Sequence, residues 1–116
     1  MKYSGSCQCG KVAFDVDMTI GKVISCNCSR CRRTGSLLAF TGKDNFTLKP
    51  GRDALTEYQF NTHVIHHLFC STCGIQTFAE GVDPKTGAPT IAVNVRCLDG
   101  VDPDALDVMK FDGAKM

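Results

Sequence analysis

The chain has 116 residues, 43% of them hydrophobic and 22% charged, which is the composition of an ordinary folded protein and excludes a disordered or membrane-spanning chain. Thirteen basic side chains nearly balance twelve acidic ones, which argues against recognition of nucleic acid or an anionic membrane through net charge. The length is within the usual range of one domain, so we expect a single domain over residues 1–116. No apolar signal segment opens the sequence, so we expect the protein in the reducing cytoplasm.

Apolar and polar residues alternate in short stretches along the chain, as in Val12–Val16 and Ile91–Val95, and this period of two is typical of half-buried strands. The predicted strands, in chain order, are Lys11–Asp17, Lys22–Cys26, Leu37–Thr41, Phe46–Lys49, Ala54–Phe60, Val64–Phe69, Gln76–Ala79 and Thr90–Cys97. Short helical turns are expected near 30–35 and 102–106. The sequence therefore predicts a mainly β fold of short antiparallel strands.

Two pairs of cysteines, each followed by a glycine, lie far apart in the chain. Cys7 and Cys9 form the first pair and Cys70 and Cys73 the second. Thiolates two or three residues apart can face one ion, whereas disulfides normally join distant parts of a chain, so the spacing favours metal over disulfides. Four such ligands are typical of a closed structural zinc site, which would staple the fold. The alternative is that Cys7 and Cys9 are small buried apolar residues.

A second group, Cys26, Cys28 and Cys31, presents three thiolates within six residues. Three protein ligands with an open fourth position are the pattern of catalytic zinc, which can accept water, a thiol or a carbonyl oxygen there. Three thiolates on a dication leave a net negative charge. The neighbouring Arg30, Arg32 and Arg33 are therefore expected to stabilise the sulfurs and attract an anion, although a solvated basic turn is the alternative for each.

The alternative for this second group is another structural zinc with a fourth ligand from the protein. The candidates are Cys97, His63, His66 and His67. A buried free thiol is the simpler interpretation of Cys97. His63 and His66 would face opposite sides of a strand and could not share an ion, whereas His63 and His67 could.

Three segments of the chain resemble the glutathione-dependent formaldehyde-activating enzyme family. They are Gly5–Val12, Cys26–Arg33 and Phe69–Gly74, and the 94–100 and 111–113 segments are also similar to family segments. One position departs from the pattern, because many members have His where this chain has Asn27.

The resemblance implies a β-tent fold with two zinc ions. One zinc would be structural, on Cys7, Cys9, Cys70 and Cys73, and the other catalytic and more easily lost, on Cys26, Cys28 and Cys31. The family's named activity is S-(hydroxymethyl)glutathione synthase, a carbon–sulfur lyase that joins glutathione to formaldehyde, and the family also includes a centromere-associated relative.

The resulting hypothesis is that zinc on the second group binds glutathione, or another small thiol, as its thiolate and places it against an aldehyde. Arg32 or Arg33 would pair with a substrate carboxylate, and the backbone near Thr34 and Gly35 would add hydrogen bonds. The alternative is a non-catalytic, zinc-stabilised module that recognises a protein or another macromolecule.

Overall fold

The computed structural model describes residues 1–49, 51–60 and 63–115. Ten strands and one short α-helix lie in these ranges, together with 3-10 turns. Their bounds are β1 (Lys2–Ser6), β2 (Ala13–Asp17), β3 (Val23–Cys26), α1 (Cys31–Thr34), β4 (Leu38–Gly42), β5 (Phe46–Leu48), β6 (Leu55–Tyr58), β7 (His66–Cys70), β8 (Gln76–Val82), β9 (Pro89–Asn94) and β10 (Val108–Phe111).

The strands form two sheets. The smaller sheet has the order β1-β2-β5, and the larger has seven strands in the order β10-β3-β4-β9-β8-β7-β6. Every pair is antiparallel except β3 with β10, which run parallel. The predicted mainly β fold of short antiparallel strands is therefore confirmed.

The core lies where the inner faces of the two sheets meet. Phe14 and Phe78 are almost fully buried, and the ring of Phe46 packs between them, with centroids 5.1 Å and 4.7 Å away. The alternating residues of β2 and β9, such as Val16 and Val93, point into the same core. The period-two pattern in the sequence therefore identified the buried face of these strands correctly.

Two strands of the structure are missing from the sequence-based prediction. Lys2–Ser6 has only one buried residue, Gly5, and all four residues of Val108–Phe111 are exposed. Neither segment shows alternating burial of apolar side chains, so each becomes a strand through its partner. β1 pairs with all of β2, and β10 pairs along β3.

Some predicted strands also end elsewhere. The predicted strand Thr90–Cys97 was expected to reach Cys97, but β9 ends at Asn94. The Asn94 side chain accepts a hydrogen bond from the backbone N–H of Arg96 and so caps the turn Val95–Cys97. The first one was expected to begin at Lys11. It begins at Ala13 because the backbone of Val12 pairs with Cys7, with its oxygen 3.0 Å from the Cys7 nitrogen.

The expected helical turns are present as α1 and as the 3-10 turn Pro103–Ala105. Within the ranges that the structure describes, no helix has the length and apolar character needed to cross a membrane.

Candidate metal centres

The structure brings together Cys7, Cys9, Cys70 and Cys73, with all four sulfur atoms within 4.8 Å of one another. The Sγ of Cys9 lies 3.6 Å from the Sγ of Cys7 and 3.6 Å from that of Cys70. A tetrahedral site with metal–sulfur bonds of about 2.3 Å requires sulfur atoms about 3.8 Å apart. The four thiols therefore already have the spacing that a tetrahedral metal ion needs.

Tight turns at the two pairs direct backbone N–H groups towards these sulfurs. The N–H of Val12 donates to Sγ of Cys7, and the N–H of Thr72 donates to Sγ of Cys70, each at 3.4 Å. Gly10 and Gly74 follow the pairs with φ values of 83° and 80°, a region that favours glycine. Such hydrogen bonds stabilise the thiolate form, which is the form that binds metal.

The four thiols differ in their tendency to ionise. Hydrogen bonds from the backbone of Ile75 and of Cys9 lower the pKa of Cys73 to about 6. For Cys9, a hydrogen bond from the Lys11 backbone lowers the pKa, but desolvation and the adjacent sulfurs outweigh it and raise the value to about 11. Several thiolates so close together repel one another, and a bound dication would remove that repulsion.

The second group lies at the end of β3 and the start of α1. The sulfurs of Cys26, Cys28 and Cys31 are all within 4.8 Å of one another. The N–H of Cys28 donates to Sγ of Cys26 at 3.5 Å, and the N–H of Cys31 donates to Sγ of Cys28 at 3.3 Å. This thiol triad therefore has the same N–H support as the four-cysteine site.

Ionisation within the thiol triad is also uneven. Burial acts against the Cys28 thiolate, but hydrogen bonds, chiefly from the N–H of Cys31, lower its pKa overall. Burial and the neighbouring Cys28 raise the pKa of Cys31 to about 12. All three would be thiolates together only with a cation present, so the donor set fits a soft divalent metal such as zinc.

Across the described ranges, the structure brings no histidine, carboxylate or fourth cysteine within the same 4.8 Å of the triad. Cys97 instead points at the backbone oxygen of Gln76, 3.9 Å away, and burial raises its pKa to about 11. His66 pairs with Glu57, with 2.8 Å between Nδ1 and Oε1. The geometry therefore does not support the alternative of a fourth protein ligand.

The three arginines expected to serve an anion have different surroundings. Arg30 is engaged by Gln76 and lies over the ring of Tyr58, with its guanidinium carbon 4.8 Å from the ring centroid. Arg33 donates to the backbone oxygen of Ser29 at 2.6 Å. Arg32 is exposed, and within the described residues its guanidinium has no hydrogen bond or ion pair. Among the described residues, Arg32 is therefore the one of the three arginines whose guanidinium is not already engaged.

Thr34 and Gly35 stabilise the end of α1. Oγ1 of Thr34 donates to the oxygen of Cys31 at 3.3 Å, and Gly35 adopts a φ of 72° as its N–H bonds the same oxygen at 3.0 Å. The oxygen of Gly35 accepts a hydrogen bond from Nε of Arg96 at 3.1 Å. These contacts fix the backbone of Cys31, so Thr34 and Gly35 both stabilise the position of a residue of the triad.

Sequence reasoning missed a chain of three polar side chains that starts at Arg30, in the turn between Cys28 and Cys31, and continues to the buried Gln76 and His67. Arg30 donates to Oε1 of Gln76, which leaves the amide Nε2 of Gln76 to donate to Nδ1 of His67, 3.4 Å away. His67 must then be neutral, with its proton on Nε2, and burial followed by the charge of Arg30 lowers its pKa to about 4. No local pattern could reveal this chain, because its members lie on different elements.

The 111–114 segment, which we call the latch, lies beside the triad. The backbone N–H of Asn27 donates to the oxygen of Phe111 at 3.1 Å. The Asn27 side chain donates to Oδ1 of Asp112 at 3.0 Å and accepts from the N–H of Ala114 at 2.9 Å. The residue that departs from the family pattern therefore has a defined set of partners.

Comparison with known proteins places this geometry in a family. The family model described as glutathione-dependent formaldehyde-activating enzyme matches residues 2–110. A crystal structure of a Rhodobacter sphaeroides protein is similar, with a TM-score of 0.78 and 33% identity over 91% of this chain and 99% of that chain. The chain belongs to the glutathione-dependent formaldehyde-activating enzyme family.

Proposed function

We propose that the protein is a zinc-dependent enzyme of the carbon–sulfur lyase type, which joins a small thiol, glutathione, to formaldehyde or a related aldehyde. One observation carries the proposal: three thiols converge with N–H support, and no fourth protein ligand joins them in the part of the chain that is described. A metal held this way can accept an exogenous ligand. Family membership supports glutathione and formaldehyde as the pair of substrates.

In this proposal residues 1–116 act as one cytoplasmic domain with two metal sites of different purpose. Cys7, Cys9, Cys70 and Cys73 would hold a structural zinc that joins the segment after β1 to the end of β7. Cys26, Cys28 and Cys31 would hold the second, which lowers the pKa of a bound thiol when present. All eight cysteines are free thiols, as a reducing compartment would maintain them.

The reaction itself requires little from the protein besides position. The thiolate sulfur attacks the aldehyde carbon, the carbon–oxygen π electrons move to oxygen, and water supplies the proton that completes the hydroxymethyl group. Arg32, which is exposed and follows Cys31 in the chain, would pair with a glutathione carboxylate. Arg33 already donates a hydrogen bond to the backbone oxygen of Ser29. Thr34 and Gly35 would bind substrate only through polar atoms that do not already form hydrogen bonds at the end of α1.

The test is the rate of hemithioacetal formation from glutathione and formaldehyde, measured against the spontaneous rate in the same buffer. The zinc-loaded protein should accelerate the reaction, and Cys28→Ala should abolish the acceleration while the four-cysteine site remains loaded. Cys97→Ala is the matched control, because Cys97 belongs to neither group, and it should retain activity. If wild-type protein left the spontaneous rate unchanged, the enzyme proposal would fail and the zinc-stabilised binding module would replace it.

A further inference from the structure

The latch touches the thiol triad through a position where only glycine fits. A Cβ added to Gly113 would lie 2.5 Å from Sγ of Cys26 and 3.4 Å from Cβ of Cys28. Real side chains do not approach a sulfur atom that closely, so any other residue would displace either the latch or the Cys26 sulfur. The backbone at Gly113 therefore forms a wall directly against one of the proposed metal ligands.

Asn27 holds this wall in place. It lies between the ligands Cys26 and Cys28, and its backbone and side chain make three hydrogen bonds to Phe111, Asp112 and Ala114. Strand β10, which ends at the first residue of the latch, pairs in parallel with β3 so that Phe111 lies opposite Cys26. The pairing of β10 with β3 therefore fixes where the latch begins relative to Cys26. The Asn27 side chain then fixes the positions of Asp112 and Ala114.

Both sides of the Asn27 amide are used. The amide NH₂ group donates to a carboxylate, and the amide oxygen accepts from a backbone N–H, so neither Ala nor Asp could replace both contacts. The residue is exposed, so its role is not to fill the core. In the part of the chain that is described, all of its hydrogen bonds go to the latch.

We propose that Asn27 is a positioning residue for the second metal site: it holds the latch so that Gly113 closes the Cys26 side of the thiol triad and keeps the three sulfurs arranged for metal. The inference rests on the proposed function only in taking the triad as a metal site. It assigns Asn27 a role in metal affinity rather than in contact with substrate.

Titration of the metal-free, reduced full chain with Co²⁺ tests the proposal through the absorption of cobalt–thiolate bonds. Wild-type protein should take two equivalents, and Cys28→Ala, which retains only the four-cysteine site, identifies the first. Asn27→Ala and Gly113→Ala should each weaken the second equivalent by about 10- to 100-fold, as loss of residues that orient metal ligands commonly does. The first equivalent should bind as in wild type.

Two further variants separate positioning from a general loss of structure. Gly42→Ala is the control for Gly113→Ala, because a Cβ there meets nothing within 4 Å, and both equivalents should be unchanged. Asn27→Asp alone should weaken the second equivalent by placing two carboxylates together. Combining it with Asp112→Asn restores a donor and acceptor pair and leaves an oxygen for Ala114, so the double variant should recover affinity.

Three outcomes of the Co²⁺ titration, taken with the rate measurement, lead to different conclusions. Wild-type affinity for the second equivalent in both Asn27→Ala and Gly113→Ala would overturn the positioning role. Binding of only one equivalent by wild type would overturn it too, together with the proposed function. Weakened binding in the variants, with no rate acceleration in wild type, would support the positioning role and reject only the proposed enzyme activity.

Discussion

Arg30 and Gln76 are joined by two hydrogen bonds to a single oxygen: Nε and Nη2 of Arg30 donate to Oε1 of Gln76 at 3.0 and 2.8 Å. Arg30 lies in the turn between Cys28 and Cys31, and Gln76 begins β8 shortly after Cys73. The pair therefore links the thiol triad to the four-cysteine site. An arginine that the sequence suggested for anion binding instead connects the two candidate metal centres.

Arg30→Ala should destabilise the metal-loaded protein. The buried Oε1 of Gln76 would lose both of its donors, which costs about 1–3 kcal/mol for a buried acceptor left without a partner. Urea unfolding of the metal-loaded protein measures the change. Arg33→Ala, at an exposed neighbouring position, should change the free energy of unfolding by no more than about 0.5 kcal/mol. Equal effects of the two variants would show that the Arg30–Gln76 link is unimportant.

Removal of one ligand from the four-cysteine site should loosen the fold through loss of metal. Cys9 is exposed, so Cys9→Ser creates no cavity, and its effect reports on the metal alone. We expect metal content to fall by one equivalent and the Tm to drop towards that of chelator-treated wild type. Elemental analysis and calorimetry provide the readouts, with Cys97→Ser as the control that should retain both equivalents. Unchanged metal content in Cys9→Ser would contradict the assignment of this site.

His67 should remain neutral in mildly acidic solution. Burial, and then the charge of Arg30, lowers its pKa from 6.5 to about 4. As pH falls from 6.5 towards 4, His67 becomes protonated in the unfolded chain but stays neutral in the folded chain. Stability is therefore unaffected by this group above pH 6.5 and decreases as the pH falls through this window. NMR signals of the His67 ring should therefore not shift between about pH 8 and pH 5.5.

Arg30→Ala provides the internal comparison for this titration. Loss of the guanidinium charge removes the second cause of the shift, so the pKa of His67 should rise towards its ordinary value while burial still holds it below. A wild-type His67 that titrates in the ordinary histidine range would contradict both the burial of the ring and its hydrogen bond from Gln76.

Arg32→Ala should weaken glutathione binding to the zinc-loaded protein. An exposed ion pair with a carboxylate contributes about 0.5–1 kcal/mol, so the Kd should rise about two- to five-fold. Metal content should not change, because Arg32 contacts no ligand sulfur through a hydrogen bond within the described ranges. The affinity for 2-mercaptoethanol, a thiol without a carboxylate, is the control and should be equal in the two proteins. An equal loss of affinity for glutathione and for 2-mercaptoethanol would show that Arg32 does not contact the carboxylate.

Gly5→Ala should destabilise the protein because β1 runs too close to the core for a side chain. An added Cβ would lie 2.6 Å from Cζ of Phe14 and 2.7 Å from the backbone oxygen of Cys97. Overpacking of this kind costs about 1–3 kcal/mol. Gly21→Ala, where a Cβ meets nothing within 4 Å, should leave the Tm unchanged in the same calorimetric experiment. Similar Tm values for the two variants would show that β1 can move away from Phe14.

Local patterns predicted the features that depend on neighbouring residues in the chain. Alternation in β2 and β9 identified strands with a buried face, because the pleat places every second residue on one side. Close cysteine spacing predicted which sulfurs cluster within each motif, because thiolates in one tight turn can face the same ion.

Apart from the joining of the two cysteine pairs, which the need for four ligands predicts, features that depend on distant partners could not be read from the sequence. The exposed β10 has no pattern of its own and becomes a strand by pairing with β3. The partners of Arg30 and Asn27, which are Gln76 and the latch, lie 46 and more than 80 residues further along the chain. The sequence by itself therefore determined the two cysteine groups and most of the strands. Only the tertiary structure decided what surrounds the triad, because burial and hydrogen bonding there depend on how the strands pair.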